Sequence, residues 1–189
     1  IHRFVRRLIA ERRAGDDSGE NLLSMLLHAR DERGRPCMTD RRLIDELSVM
    51  FALGAHQESL ALTWAAWLVA RAPHVERRLH EEIDSVLEGR AAVLADLPRL
   101  PYAAAVVEET LRLYPPFSLV VRESRIDGEI GGYRLDKGTS IGLCSWVTHR
   151  HPRYFEEPDV FRPERWLDGL ARRLPRFAYF PFGGGPRVC

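Results

Sequence analysis

Cys189 closes a run, Phe182-Gly183-Gly184-Gly185-Pro186-Arg187-Val188-Cys189, whose residue types suit chemistry at a sulfur. Glycine reaches φ > 0 and lets backbone approach a flat surface with no Cβ in the way. Pro186 fixes one φ and removes one N–H, so the turn is stiff. Arg187 stands two residues before the sulfur, where it can offset a thiolate or meet an anion beside it. A thiolate held this way is a metal ligand. A glycine-rich turn around a small buried cysteine is the plainer alternative.

Two further stretches carry charge in a pattern. Glu109-Thr110-Leu111-Arg112 sets a carboxylate and a guanidinium three residues apart, on one face of one helix. Its flanks are apolar, Ala103 to Val107 before and Leu113 with Pro115 after, which argues for burial. A buried pair needs further partners to offset desolvation. Arg165, in Phe161-Arg162-Pro163-Glu164-Arg165-Trp166, is a candidate third member. The alternative is a surface pair and an unrelated arginine.

Taken in order, Glu-x-x-Arg, Pro-Glu-Arg-Trp and Phe-x-x-Gly-x-Arg-x-Cys resemble the signatures of the cytochrome P-450 superfamily, and the resemblance runs over essentially the whole chain. It implies a mainly α fold with a small β part, the C-terminal half of the P-450 fold, with residues 1–189 a partial domain. The family's N-terminal half and the segment after the ligand are missing from such a fragment. The cofactor implied is haem b, iron protoporphyrin IX, with Cys189 as axial ligand. Phe182, Gly183 and Gly185 would shape the ligand loop, and Glu109, Arg112 and Arg165 would lock the core beneath it. Arg122, ten residues past Arg112, and Arg187 match positions where the family binds haem propionates. An ordinary strand-edge charge is the other reading of Arg122.

The reaction implied is insertion of one oxygen atom from O₂ into an apolar small-molecule substrate. Electrons would come from NAD(P)H through a ferredoxin or flavoprotein reductase, separate or fused. The family's acid–threonine pair, which helps deliver protons to dioxygen, falls on His56 and Gln57, after Gly54. Glutamine can hydrogen-bond but cannot relay a proton as a hydroxyl does, and histidine titrates near neutrality. A packing role for both stands beside the catalytic one. That departure motivates a rival, a haem-thiolate isomerase, dehydratase or peroxide-driven enzyme. A non-enzymatic haem binder or inactive remnant is a second.

The elements that must position these residues follow from periodicity. Residues 1–14 read as a helix with Ile1, Val5, Leu8 and Ile9 on one face. Ser18 is the expected N-cap of a second helix to about Ala29, and Thr39 of a long helix to Ala72. Val49 to Ala70 is apolar nearly all round, the mark of a buried helix. Helices from Pro73 to about Leu87 and Tyr102 to Leu113 follow, with a turn over 97–101 between them. Short strands are expected over 120–126, 133–135 and 140–147, and an irregular stretch over 151–163.

Composition excludes several classes. Net charge is +1, with Lys137 the sole lysine among 28 basic residues, so nothing points to nucleic acid. Cys37, Cys144 and Cys189 show neither metal-ligand spacing nor a disulfide framework, which suits a reducing compartment. No apolar run is long enough to span a bilayer. A cytoplasmic, bacterial protein is the expectation, with a membrane anchor on a missing N-terminal part left open.

Overall fold

The computed structural model describes residues 1–15 and 21–189. They fall into two compact units, Ile1–Glu58 and Ser59–Cys189. In the first, α1 (His2–Ala14) and α2 (Leu22–His28) meet the start of α3 (Asp40–Ala70). Val5, Ile9 and Leu43 form the core there, with Leu23, Leu26, Leu27 and Met38 against it. The cap of α2 is Asn21, whose side chain accepts from the Ser24 N–H at 3.1 Å. Ser18, the expected cap, lies outside the described residues. At α3 the Thr39 hydroxyl accepts from the Arg42 N–H.

The apolar stretch of α3 is not buried as its composition suggests. Val49, Met50, Phe51, Leu53, Leu62 and Trp67 are all exposed, because among the described residues too little packs on those faces to cover them. Helical assignment continues unbroken through Gly54.

In the second unit α4 (Pro73–Leu87) and α5 (Pro101–Leu113) pack through Val75, Tyr102 and Val106. Both start with proline at the first turn, where the lost N–H has no helical partner anyway. Glu82 of α4 accepts from the N–H groups of Tyr102 and Ala103 at 2.8 and 2.9 Å, capping α5 from its neighbour. The turn expected over 97–101 belongs to a 3₁₀ segment, Leu94–Arg99. Eight of the α5 residues are buried. This is the best-covered helix of the unit and the one that carries Glu109 and Arg112.

Beyond α5 come β1 (Leu119–Glu123), β2 (Gly128–Ile130), β3 (Tyr133–Leu135) and β4 (Ser140–Cys144). β1 pairs antiparallel with β4, Arg122 opposite Ile141, while β2 and β3 form a hairpin. The first strand stops at Glu123, short of Ile126, and Gly128 starts β2. The last strand ends at Cys144 rather than Val147, since α6 (Ser145–Thr148) follows at once. Hydroxyls explain the switch. Ser145 Oγ donates to the Phe117 carbonyl and Thr148 Oγ1 to that of Cys144. A coil then leads to α7 (Glu164–Leu167). No helix among the described residues is long and apolar enough to cross a membrane.

Candidate functional site

Glu109 and Arg112 are fully buried, one helical step apart on α5. Their contact is bidentate, Arg112 Nε to Oε2 and Nη2 to Oε1, both at 2.8 Å. α7 brings Arg165, whose Nε donates to Glu109 Oε1 at 2.9 Å, and Trp166, whose Nε1 donates to Oε2 at 2.8 Å. The Arg162 N–H adds a bond to Oε1. One carboxylate thus faces two guanidinium groups. The surplus positive charge is met by carbonyls: Arg112 donates to those of His149, Pro158 and Val160, and Arg165 to that of Glu156. Every N–H of Arg112 has a partner, which is what makes a charge tolerable at zero exposure. Burial pulls the Arg165 guanidinium below its ordinary pKa, with Glu109 opposing.

The coil that supplies those carbonyls also holds the approach to the cysteine. The Phe180 N–H donates to His149 Nε2 at 2.9 Å. Tyr179, one residue earlier, donates its hydroxyl to Glu108 on α5, and burial pushes its pKa up. From there the loop turns on glycine. Gly183 has φ 78° and Gly185 φ 80°, values that L side chains rarely adopt. Gly184 is extended but close-packed, since a Cβ there would lie 2.6 Å from Phe177 Cε1. Cys189 is exposed, and its N–H closes the loop on the Phe182 carbonyl at 3.1 Å. Phe182 itself is 56% exposed beside it.

Arg122 is exposed on β1, its guanidinium bonded only to the carbonyl of Val121 among the contacts described. The side chain of Arg187 lies outside the described part of the structure. His56 and Gln57 are on α3 in the first unit, His56 exposed and Gln57 half-buried, its Oε1 without a partner among the described residues. The structure therefore brings together Glu109, Arg112 and Arg165, and separately Phe182, Gly183, Gly185 and Cys189. His149 and Trp166 complete the first group and escaped the sequence reading. Trp166 follows Arg165 in a quoted motif and could have been found there. His149 gives no such signal, since its partners are 37 and 31 residues away.

The sulfur site fits a haem. Cys189 is free and open, next to an exposed aromatic ring and backbone thinned by glycine.

Comparison with known proteins agrees. The family model described as Cytochrome P450 matches residues 1–189. Cyclooctatin synthase of Streptomyces melanosporofaciens is 39% identical over 100% of this chain and 41% of its own length. Cyclooctat-9-en-7-ol 5-monooxygenase of the same organism is 36% identical, again over 100% and 41%, and pentalenene oxygenase of Streptomyces avermitilis 36% identical over 100% and 42%. The chain therefore spans about two-fifths of the length of these relatives. Among solved structures, the heme domain of cytochrome P450DA superposes with TM-score 0.89 at 31% identity, and a retinoic acid bound cyanobacterial CYP120A1 with 0.87 at 31%. Both are matched over 100% of this chain, and over 42% and 43% of their own.

Proposed function

Because the chain belongs to the cytochrome P450 family, we propose that it is the C-terminal part of a haem-dependent monooxygenase. The observation that carries this is Cys189, presented open at the end of a glycine loop that a buried charge cluster anchors through His149. The cofactor proposed is haem b. When bound, it would supply dioxygen chemistry, which a cysteine thiolate ligand favours.

This chain's residues bind, orient and hold. Cys189 would hold the haem iron through its sulfur, and Phe182 would pack beside it. Arg122 and Arg187 are the proposed partners of the haem carboxylates, a role suited to planar, fixed-charge guanidinium groups. Glu109, Arg112 and Arg165 keep α5 and α7 from shifting, so that the loop keeps its place. His56 and Gln57 are proposed for proton delivery on the oxygen side. The substrate proposed is apolar, since two relatives carry names that denote an alkenol and an alkene. The electron donor proposed is a ferredoxin or flavoprotein reductase drawing on NAD(P)H, in the cytoplasm.

Gln57, standing where the family has a threonine, favours a second reading: a haem-thiolate enzyme that does not activate dioxygen. Oxygen uptake separates the two. With a reductase and NADPH, the full-length protein should consume O₂ and add one oxygen atom to an apolar substrate. NADPH-independent turnover, with no oxygen uptake and a thiolate-type haem spectrum, would select the second reading and end the first.

A further inference from the structure

His149 has no exposed surface, yet it touches both halves of the site. Its carbonyl accepts from Arg112 Nη1 at 2.8 Å, and its Nε2 receives the Phe180 N–H at 2.9 Å. Its ring lies 5.0 Å from Tyr179 and 5.1 Å from Phe180, centroid to centroid. An amide can donate only to an unprotonated ring nitrogen. The bond therefore requires neutral imidazole with its proton on Nδ1. That Nδ1 is itself buried and lacks a hydrogen-bond partner among the described residues.

We infer that His149 is a positioning residue: as a neutral Nδ1–H tautomer it hooks the Phe180 N–H, and so ties the cysteine loop to the Glu109–Arg112–Arg165 cluster. This rests on the haem-thiolate reading for its purpose, though not for its geometry. Within the loop from Phe180 to Cys189, backbone bonds hold the local shape: the Gly183 N–H donates to the Phe180 carbonyl at 3.0 Å, Val188 to Gly185 and Cys189 to Phe182, both at 3.1 Å. A hook at residue 180 sets where the loop begins, and with it where the sulfur at 189 arrives.

The charged and titratable groups facing the ring support the neutral form. Burial acts first and the Arg112 guanidinium second, with Arg150 adding to them. The backbone of Arg112 and Leu111 opposes, and the pKa is pushed down to about 4. Tyr179 stays protonated and adds no charge.

The test uses the full-length protein and three forms: wild type, His149→Gln and His149→Leu. Gln sets an amide oxygen close to where Nε2 sits and can accept from Phe180, whereas Leu cannot. Hydrogen exchange at the Phe180 amide should be at least about tenfold faster in His149→Leu, the scale of one lost hydrogen bond, and near wild type in His149→Gln. The thiolate-type share of the reduced carbon monoxide complex should fall in the Leu form and return in the Gln form. ¹⁵N resonances of wild-type His149 should report Nδ1–H, a readout that needs no variant to fold. An Nε2–H tautomer, or unchanged Phe180 exchange in His149→Leu, would overturn the inference. A wild type without a thiolate-type band would instead overturn the haem-thiolate reading, leaving the exchange result to stand or fall by itself.

Discussion

Around Glu109, polar groups are buried and matched: its carboxylate takes bonds from Arg112, Arg165, Trp166 and the Arg162 amide. Around Cys189 glycines stand in place of side chains, and the loop is held by backbone bonds from Gly183 to Phe180, Val188 to Gly185 and Cys189 to Phe182. Both regions belong to the same compact unit. The first is fixed by many side-chain hydrogen bonds. The second has few side-chain contacts among the described residues, and backbone bonds give it its shape. Side-chain bonds are dense around Glu109 and sparse around Cys189, and His149 bonds to both stretches, through Arg112 and through the Phe180 N–H.

The largest test of that contrast removes Glu109. Glu109→Ala leaves two guanidinium groups buried with no counter-charge, and a broken buried pair costs roughly 3–5 kcal/mol. Urea unfolding should show a midpoint far below wild type. An unchanged midpoint would mean the cluster is not what holds this unit.

Acid should act at the join. The folded-state pKa of His149 is about 4, against an ordinary 6.5, so the unfolded chain binds more protons between those values. Stability is then flat above pH ~6.5 and declines as pH falls towards 4, by up to about 3 kcal/mol. His149→Gln should remove that part of the slope in a pH series of unfolding curves. A slope unchanged by the substitution would place the titration elsewhere.

Within the loop the effects should be smaller. Gly184→Ala puts a methyl 2.6 Å from the ring of Phe177, so ring or loop must shift, at about 1–3 kcal/mol. Phe177→Ala in the same chain should recover part of the loss, a coupling that a double-mutant cycle measures. Strict additivity would show that the two do not touch in solution.

The smallest effect should come from Arg162→Ala. Among the described residues its side chain pairs with exposed Glu156 and Glu157, and its bond to Glu109 uses the backbone N–H, which alanine keeps. Thermal unfolding should change by less than about 1 kcal/mol. A loss as large as that of Glu109→Ala would show that charge density, not burial, sets stability here.

Much of this was legible from residue order. Proline at the first turn gave α4, apolar spacing gave α5 from Tyr102, one residue after its actual start at Pro101, and paired charges gave the Glu109–Arg112–Arg165 cluster, because each is a local pattern or a motif. What escaped depends on distant partners. β4 ends at Cys144 because Ser145 finds a carbonyl 28 residues back, and periodicity in 140–147 does not show that. His149 likewise looks like any coil residue until Phe180 arrives at its ring. The apolar middle of α3 misled in the other direction. Composition states what a helix face could bury, and Phe51 and Leu62 remain exposed among the described residues.

The central claim is that Cys189 is the haem ligand, and the reduced carbon monoxide complex of the full-length protein tests it most directly. Wild type should give the red-shifted band of a trans thiolate, and Cys189→His should move it to the position of a nitrogen-ligated haem. The same band in both proteins would mean that another residue binds the iron, and the account built on Cys189 would fail.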